Sequence, residues 1–267
     1  MKYTFGFIGC GNMGSALVAA VATGNKDATI ALADYDKAKI DSLVEKYSAV
    51  SSTAKEIAAE AKYIFLGVKP QMLGDLFDEI REELKSRTDN FVLVSMAAGI
   101  EIFTIEKMAE LDCSIIRIMP NTPVAVGKGV ILYCSNEKTS KEDVDFFVSS
   151  LNNAGLVDEI PEGKIDAASA VSGCGPAFVY MFAEALADGG VECGLPRDKA
   201  LKYAALTLEG AAKKMLESAE HPGALKDAVC SPGGTTIAGV HALEKNGFRN
   251  AAMDAVVNAY KRTLELK

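Results

Sequence analysis

The stretch TFGFIGCGNMGSALVAAV, residues 4–21, decides the reading of this chain. TFGFI has the look of a short buried strand, NMGSALVAAV carries apolar residues at helical spacing, and Gly9-Cys10-Gly11-Asn12-Met13-Gly14 joins them. A G-x-G-x-x-G turn in that setting is a dinucleotide fingerprint. Gly9 makes the tight turn, Gly11 lets the backbone approach a pyrophosphate, and Gly14 allows close helix-on-strand packing. The helix N-terminus adds free N–H groups and a partial positive charge. On its own the pattern also fits an ordinary flexible turn; the strand-turn-helix context makes Gly9, Gly11, Asn12, Met13 and Gly14 candidate cofactor-binding residues.

The next apolar run, ALADYD, ends on Asp34, twenty residues beyond Gly14. A carboxylate at that spacing accepts hydrogen bonds from the adenosine ribose and repels a 2′-phosphate, which favours NADH. The competing reading is that Asp34 caps the helix beginning near Asp36, with Lys37 and Lys39 close enough to bind a phosphate. The expected cofactor is therefore NADH or NADPH, with the balance toward NADH.

From Lys2 to about Ile160, apolar runs (TIALAD, YIFLGV, FVLVSM, SIIRIM, GVILYC, GLVDEI) alternate for the most part with helical patterns. That alternation predicts parallel β-α-β units, hence an α/β domain of the Rossmann-like, doubly wound, mainly parallel kind over residues 1–160. Further cofactor contacts belong at the carboxyl ends of later strands. The candidates are Val68, Lys69 and Pro70 after YIFLG, Ala97, Ala98 and Gly99 after FVLVSM, and Pro120 and Asn121 after SIIRIM. Ordinary strand-to-helix turns favour the same residue types.

Beyond Pro161-Glu162-Gly163 the strand pattern stops, and FVYMFAEALADGGVECG and PRDKALKYAALTLEGAAKKML show helical spacing. Residues 161–267 read as an all-helical domain for substrate binding and dimerisation, with Gly194 ending one helix and Pro196 opening the next. The uncharged run from Ala167 to Ala183 contains Gly173, Gly175 and Pro176 and falls short of a membrane span of about 20 residues. It reads as a buried helix with a broken start.

Composition closes off several classes of function. The 267 residues are 49% hydrophobic and 24% charged, which suits a packed globular chain. A net charge of -8 without any run of Lys or Arg excludes nucleic acid and anionic membrane as partners. Six scattered cysteines without a C-x-x-C pair, and only two histidines, point to reduced thiols in the cytoplasm and to no metal site. Lys2 and the apolar run to Ala22 have the outline of a secretory signal, but the three glycines interrupt it.

In the helical half, Ser231-Pro232-Gly233-Gly234-Thr235-Thr236 opens the helix pattern TTIAGVHALEKNG. Two glycines and two hydroxyls at a helix N-terminus make a seat for a small carboxylate; the alternative is a helix cap after a Pro-Gly turn.

Taken together, FIGCGNMGSAL, FLGVKPQ, SMAAGI, RIMPNTP, SGCGPAF, ADGGVECGLPR, HPGALKDAVCSPGGTTIAG and LEKNGFR resemble the pyrroline-5-carboxylate reductase family, in the family's order from residue 7 to 249. The resemblance implies NAD(P)H-dependent reduction of the cyclic imine 1-pyrroline-5-carboxylate to L-proline, a small-molecule substrate, and a homodimer or higher homo-oligomer through the helical domain. It implies that the substrate carboxylate meets the backbone of Gly234 and Thr235 and the hydroxyl of Thr236, the catalytic candidate. Ser231, Gly233 and Glu162 complete the implied substrate pocket. The chain departs from the family pattern at Ala54, where the family often has Asn, and at Asp34, where it often has a phosphate binder. Both departures count against NADPH.

An imine can carry its own proton as an iminium, so orientation and an anion seat matter more than a strong general acid, and no catalytic histidine is required. His221 and His241 read as surface or capping residues. A β-hydroxyacid dehydrogenase-like oxidoreductase is the nearest alternative, but SGCGPAFVYMFAE lacks the lysine that family places there. The other is a non-catalytic NAD(P)-sensing module.

Overall fold

The computed structural model describes residues 1–265. The chain divides into two compact units, one of residues Met1–Gly173 with Tyr260–Lys267 and one of Cys174–Ala259.

The first unit is built on one eight-stranded sheet. Its elements run β1 (Tyr3–Ile8), α1 (Asn12–Gly24), β2 (Ile30–Ala33), α2 (Lys37–Tyr47), β3 (Val50–Ser51), α3 (Ala54–Glu60), β4 (Ala61–Leu66), α4 (Leu73–Lys85), β5 (Val92–Ser95), α5 (Ile102–Ala109), β6 (Ser114–Pro120), β7 (Gly129–Ser135), α6 (Lys141–Ser150), β8 (Gly155–Glu159) and α7 (Glu162–Ser172). The strand order is β3-β2-β1-β4-β5-β6-β7-β8. The chain winds outward from β1 in one direction and from β4 in the other, so the topological switch point lies between those two strands.

Both faces of the sheet are covered, and the central strands are mostly apolar on both sides, as suits parallel strands between helices, with Ser95 and Arg117 the buried exceptions on β5 and the middle of β6. Ile64, Leu66, Leu93 and Ile115 face Phe77, Ile80, Ile105 and Ile165 from α4, α5 and α7. Phe5, Phe65, Val94 and Ile118 face Leu17, Val21, Ile40 and Phe147 from α1, α2 and α6. Phe7 stacks on Phe65 with ring centres 4.3 Å apart.

Two features differ from a simple parallel reading. Strand β7 runs antiparallel to β6, because the connection at 121–128 holds only a short 3-10 turn and no crossover helix; α6 then returns the chain so that β8 lies parallel to β7. Helix α7 belongs to the sheet-bearing unit, so the compact unit ends at Gly173 rather than at residue 160. Ile165 is fully buried in the same cluster as Leu93 and Ile115, and Asp166 pairs with Arg117 of β6.

The second unit is helical, with α8 (Gly175–Glu192), α9 (Arg197–Ser218), α10 (Pro222–Ala228), α11 (Thr235–Lys245) and the greater part of α12 (Phe248–Glu265). Gly194, at φ +96°, ends α8, and Pro196 stands just before α9. Its buried cluster is small: Ala187, Ala200 and Ala204, with Val191 packed alongside. The run read as a buried helix with a broken start divides instead. Its first part lies in α7 against the sheet, and its second part, in α8, leaves Tyr180 64% and Met181 69% exposed. The joined helical stretch Glu162–Glu192 is long and apolar enough to cross a membrane by length and composition. In this fold its first third is held to a sheet through Ile165, Asp166 and Ala170.

Candidate active site

The glycine turn follows β1 directly, and each glycine is placed for a different physical reason. Gly9 has φ +96°, and a Cβ there would come within 2.6 Å of the Gly67 carbonyl group. Gly67, at the end of β4, is equally intolerant, since its Cβ would overlap the Gly9 carbonyl oxygen. The two backbones thus meet at the switch point, with the Gly67 N–H donating to Ile8 O at 2.7 Å and the Gly9 N–H to Ala33 O at 2.8 Å. A Cβ on Gly14 would also strike the Gly9 carbonyl, which fixes how closely α1 approaches the turn. Gly11 alone faces open space, with no atom within 4 Å of the position its Cβ would take. Helix α1 has no side-chain cap and no acidic residue in its first turn. The N–H groups of Asn12, Met13 and Gly14 therefore point at an open, electropositive helix end, and the residues present fit a dinucleotide pyrophosphate.

Asp34, just past β2, is tied to this turn. Its Oδ2 accepts the Cys10 N–H at 2.5 Å and its Oδ1 accepts the Asp36 N–H at 2.9 Å. The cap of α2 is Asp36, which accepts from Lys39 N at 3.1 Å. The reading of Asp34 as a helix cap therefore fails; its carboxylate is held beside the glycine turn. Burial, followed by the nearby Asp34 charge, pushes the Cys10 thiol up to about 12, so it is an inert packing group rather than a nucleophile.

The other expected cofactor residues follow the carboxyl ends of β4, β5 and β6, which run parallel to β1 and so end on the same edge of the sheet. Val68 is half-buried and Lys69 exposed, and Pro70 opens a 3-10 turn. After β5, Ala97 is buried with its N–H on Ser95 Oγ at 3.4 Å, Ala98 is exposed, and Gly99 takes φ +76°. Pro120 ends β6. The Asn121 side chain is occupied by protein groups, its Nδ2 donating to Ser172 O and its Oδ1 accepting from Val130 N, both at 2.9 Å.

The sequence reading missed Arg117. It lies on β6 with 0% of its surface exposed, between Ser95 of β5 and Cys134 of β7 in register. Nη1 meets Glu162 Oε1 at 3.2 Å and Nη2 meets Asp166 Oδ1 at 3.0 Å, while Nε is buried with no hydrogen-bond partner among the described residues. Glu162 and Asp166 are i and i+4 on α7, so one face of that helix presents both carboxylates to the strand. The pattern E-x-x-x-D at a helix start was visible in the sequence; the strand arginine opposite it was not. Glu162 Oε1 also accepts the Ile102 N–H at 2.8 Å, which satisfies one of the orphan donors at the start of α5.

In the second unit, Gly233 takes φ +67° and Gly234 is the N-cap of α11, which makes no side-chain cap hydrogen bond. A Cβ on Gly234 would overlap Ser231 Oγ, so glycine is what allows that hydroxyl to sit against the turn; the Gly234 N–H donates to Ser231 O at 3.0 Å. Thr235 and Thr236 are the first two residues of the helix, both exposed. Among the described residues neither hydroxyl caps α11, which removes the cap reading and leaves the first N–H groups and two hydroxyls open to an anion. His221 caps α10, its Nδ1 accepting from Gly223 N at 3.0 Å.

Residues 162–266 match the family model described as pyrroline-5-carboxylate reductase dimerisation, and residues 4–99 match one described as NADP oxidoreductase, coenzyme F420-dependent. The chain is 40% identical over 263 residues to pyrroline-5-carboxylate reductase 3 of Danio rerio, covering 98% of this chain and 90% of that one. It is 37% identical over 269 residues to the pyrroline-5-carboxylate reductase of Escherichia coli, covering 100% and 99%. A crystal structure of the Plasmodium falciparum pyrroline carboxylate reductase with NADP bound is similar at a TM-score of 0.86 and 34% identity, covering 98% of this chain and 97% of that one.

Proposed function

The chain belongs to the pyrroline-5-carboxylate reductase family, and from that premise we propose how its own residues carry the reaction. It is an NAD(P)H-dependent oxidoreductase that reduces 1-pyrroline-5-carboxylate to proline, and it forms a homo-oligomer. The β-hydroxyacid alternative falls with that membership.

In this reading the pyrophosphate lies on Gly11, Asn12, Met13 and Gly14. The rest of the dinucleotide follows the strand ends at Val68–Pro70, Ala97–Gly99 and Pro120–Asn121, and Gly9 shapes the turn. When bound, the dinucleotide supplies the hydride. The substrate carboxylate meets the backbone of Gly234 and Thr235, with the Thr235 N–H as donor because Ser231 O holds that of Gly234, and the Thr236 hydroxyl, with Gly233 and Ser231 shaping the turn. The observation that carries this is the start of α11, which among the described residues has no side-chain cap, although the Gly234 N–H is already held by Ser231 O. Glu162 is a proposed substrate-pocket residue on the family resemblance, and the imine is reduced with its nitrogen protonated. That nitrogen already holds the proton that becomes the amine N–H, which explains why the set contains no histidine acid. We place the enzyme in the cytoplasm, where its six free cysteines stay reduced, working on a small molecule and not on nucleic acid or membrane. Its helical half is the dimer interface; along the sequence residues 1–160 supply the cofactor contacts and 161–267 the substrate and dimer contacts, although α7 packs with the sheet-bearing unit.

The test is imine-dependent loss of nicotinamide absorbance, matched mole for mole by proline, with NADH and NADPH in parallel. Turnover excludes the NAD(P)-sensing alternative; no turnover with either cofactor contradicts the reading. Because Asp34 holds its carboxylate at the glycine turn, kcat/KM favours NADH, and Asp34→Ser moves the ratio toward NADPH by about ten-fold, the effect of one unfavourable charge contact. A parent enzyme that prefers NADPH ten-fold overturns the role of Asp34.

A further inference from the structure

Arg117 is an unusual choice for the middle of a buried strand. A fully buried arginine with two carboxylates and one unpartnered nitrogen gives up more hydration than a well-packed apolar side chain would, so packing alone does not account for it. What an apolar side chain cannot do is aim a carboxylate. Glu162 Oε1 is shared between Arg117 Nη1 and the Ile102 N–H, and Ile102 is the first residue of α5. The segment leading into it, residues 96–101, is held near its ends by Ser95 Oγ under the Ala97 N–H and by Glu162 under the Ile102 N–H, with the Ile100 N–H on Ala97 O between them. Asp166, on the second nitrogen, fixes the guanidinium plane so that the first points at Glu162.

We propose that Arg117 is a positioning residue for the reduction: through Glu162 it sets the turn Ala97–Gly99, and so the seat of the nicotinamide end of the cofactor. This rests on the assignment of that turn to the cofactor. It gives Glu162 Oε1 a role separate from any contact Glu162 makes with the imine.

The experiment measures the dissociation constants of NADH and NADPH from the enzyme without imine, by nicotinamide fluorescence, for Arg117→Lys, Glu162→Ala, Glu162→Gln and the Arg117→Lys/Glu162→Ala pair. Lysine keeps the charge but loses the fork, and alanine removes the acceptor. Each raises the favoured cofactor's dissociation constant by about ten-fold, the loss of one charged hydrogen bond. Glu162→Gln keeps an acceptor for the Ile102 N–H and stays within about three-fold of the parent. The double variant is no worse than the weaker single, because both act through one contact. If Arg117→Lys does not fold, Glu162→Ala decides, since that side chain is one-third exposed. Unchanged cofactor binding in Glu162→Ala, or effects that multiply in the double variant, overturns the proposal. A rise confined to the imine KM of Glu162→Ala also overturns it, while leaving the substrate role of Glu162 standing.

Discussion

The two units solve the problem of burying apolar surface in opposite ways. In the first, two clusters of large side chains close over the faces of a sheet, with Phe5, Phe7, Leu17, Phe65, Phe77 and Phe147 all at 0% exposure. In the second, the buried cluster is three alanines, while Tyr180, Met181, Leu206, Leu216 and Met253 stand more than half exposed. The first unit has a core of its own. The second leaves much apolar surface uncovered within one chain, which fits the proposal that its helices are the dimer interface, and residues 162–266 match a dimerisation model. The division suits the chemistry, since the cofactor half needs a rigid sheet edge.

The largest expected effect breaks this contrast directly. Met181→Asp puts a charge on the exposed face of α8, and an unpaired charge in a buried interface costs several kcal/mol, so association weakens about a hundred- to thousand-fold. Phe103→Asp, at an apolar residue of the first unit that is also more than half exposed, leaves it unchanged. Analytical ultracentrifugation checks both. Equal weakening by the two variants would place the interface elsewhere.

A smaller effect sharpens the contrast through the thiols. Burial holds Cys10, Cys113 and Cys134 of the first unit at about 12, against an ordinary 9.0, whereas Cys193 of the second is exposed. Well below pH 9 these thiols are protonated in folded and unfolded chains alike and contribute nothing to the pH dependence. Between about 9 and 12 the unfolded chain releases their protons and the folded chain keeps them, so stability falls as pH rises, by up to about 1.4 kcal/mol per pH unit for each thiol. Urea titrations from pH 8 to 10.5 test the sign; stability flat across that range speaks against it. Alkylation of the native protein should mark Cys193 and spare the buried three.

Much of this was legible in the sequence because local chemistry dictates it. The three glycines after TFGFI carry their roles in their spacing, and the structure supplies the open space at Gly11 and the close approaches at Gly9 and Gly14. Asp34 was visible as a carboxylate at the right distance, but only the fold shows that Asp36 takes the capping role. What escaped was nonlocal. Gly67 is required because β4 meets the β1 turn, Arg117 sits opposite carboxylates more than forty residues away, and β7 reverses because its connection is short. The apolar run in α8 misled for the same reason: hydrophobicity says that a face is covered, not by which chain.

The substrate half offers the most direct test of the whole account. Thr236→Ala removes one charge-assisted hydrogen bond, about 1.5–3 kcal/mol, and so lowers kcat/KM for 1-pyrroline-5-carboxylate about ten- to a hundred-fold. Cofactor affinity and melting temperature stay near the parent's, because the residues proposed for the cofactor lie in the other unit and, among the described residues, no side chain caps α11. Thr236→Ser keeps the hydroxyl and restores most of the activity. If Thr236→Ala instead keeps its kcat/KM, or loses it only together with melting temperature or cofactor affinity, the carboxylate seat at the start of α11 is wrong.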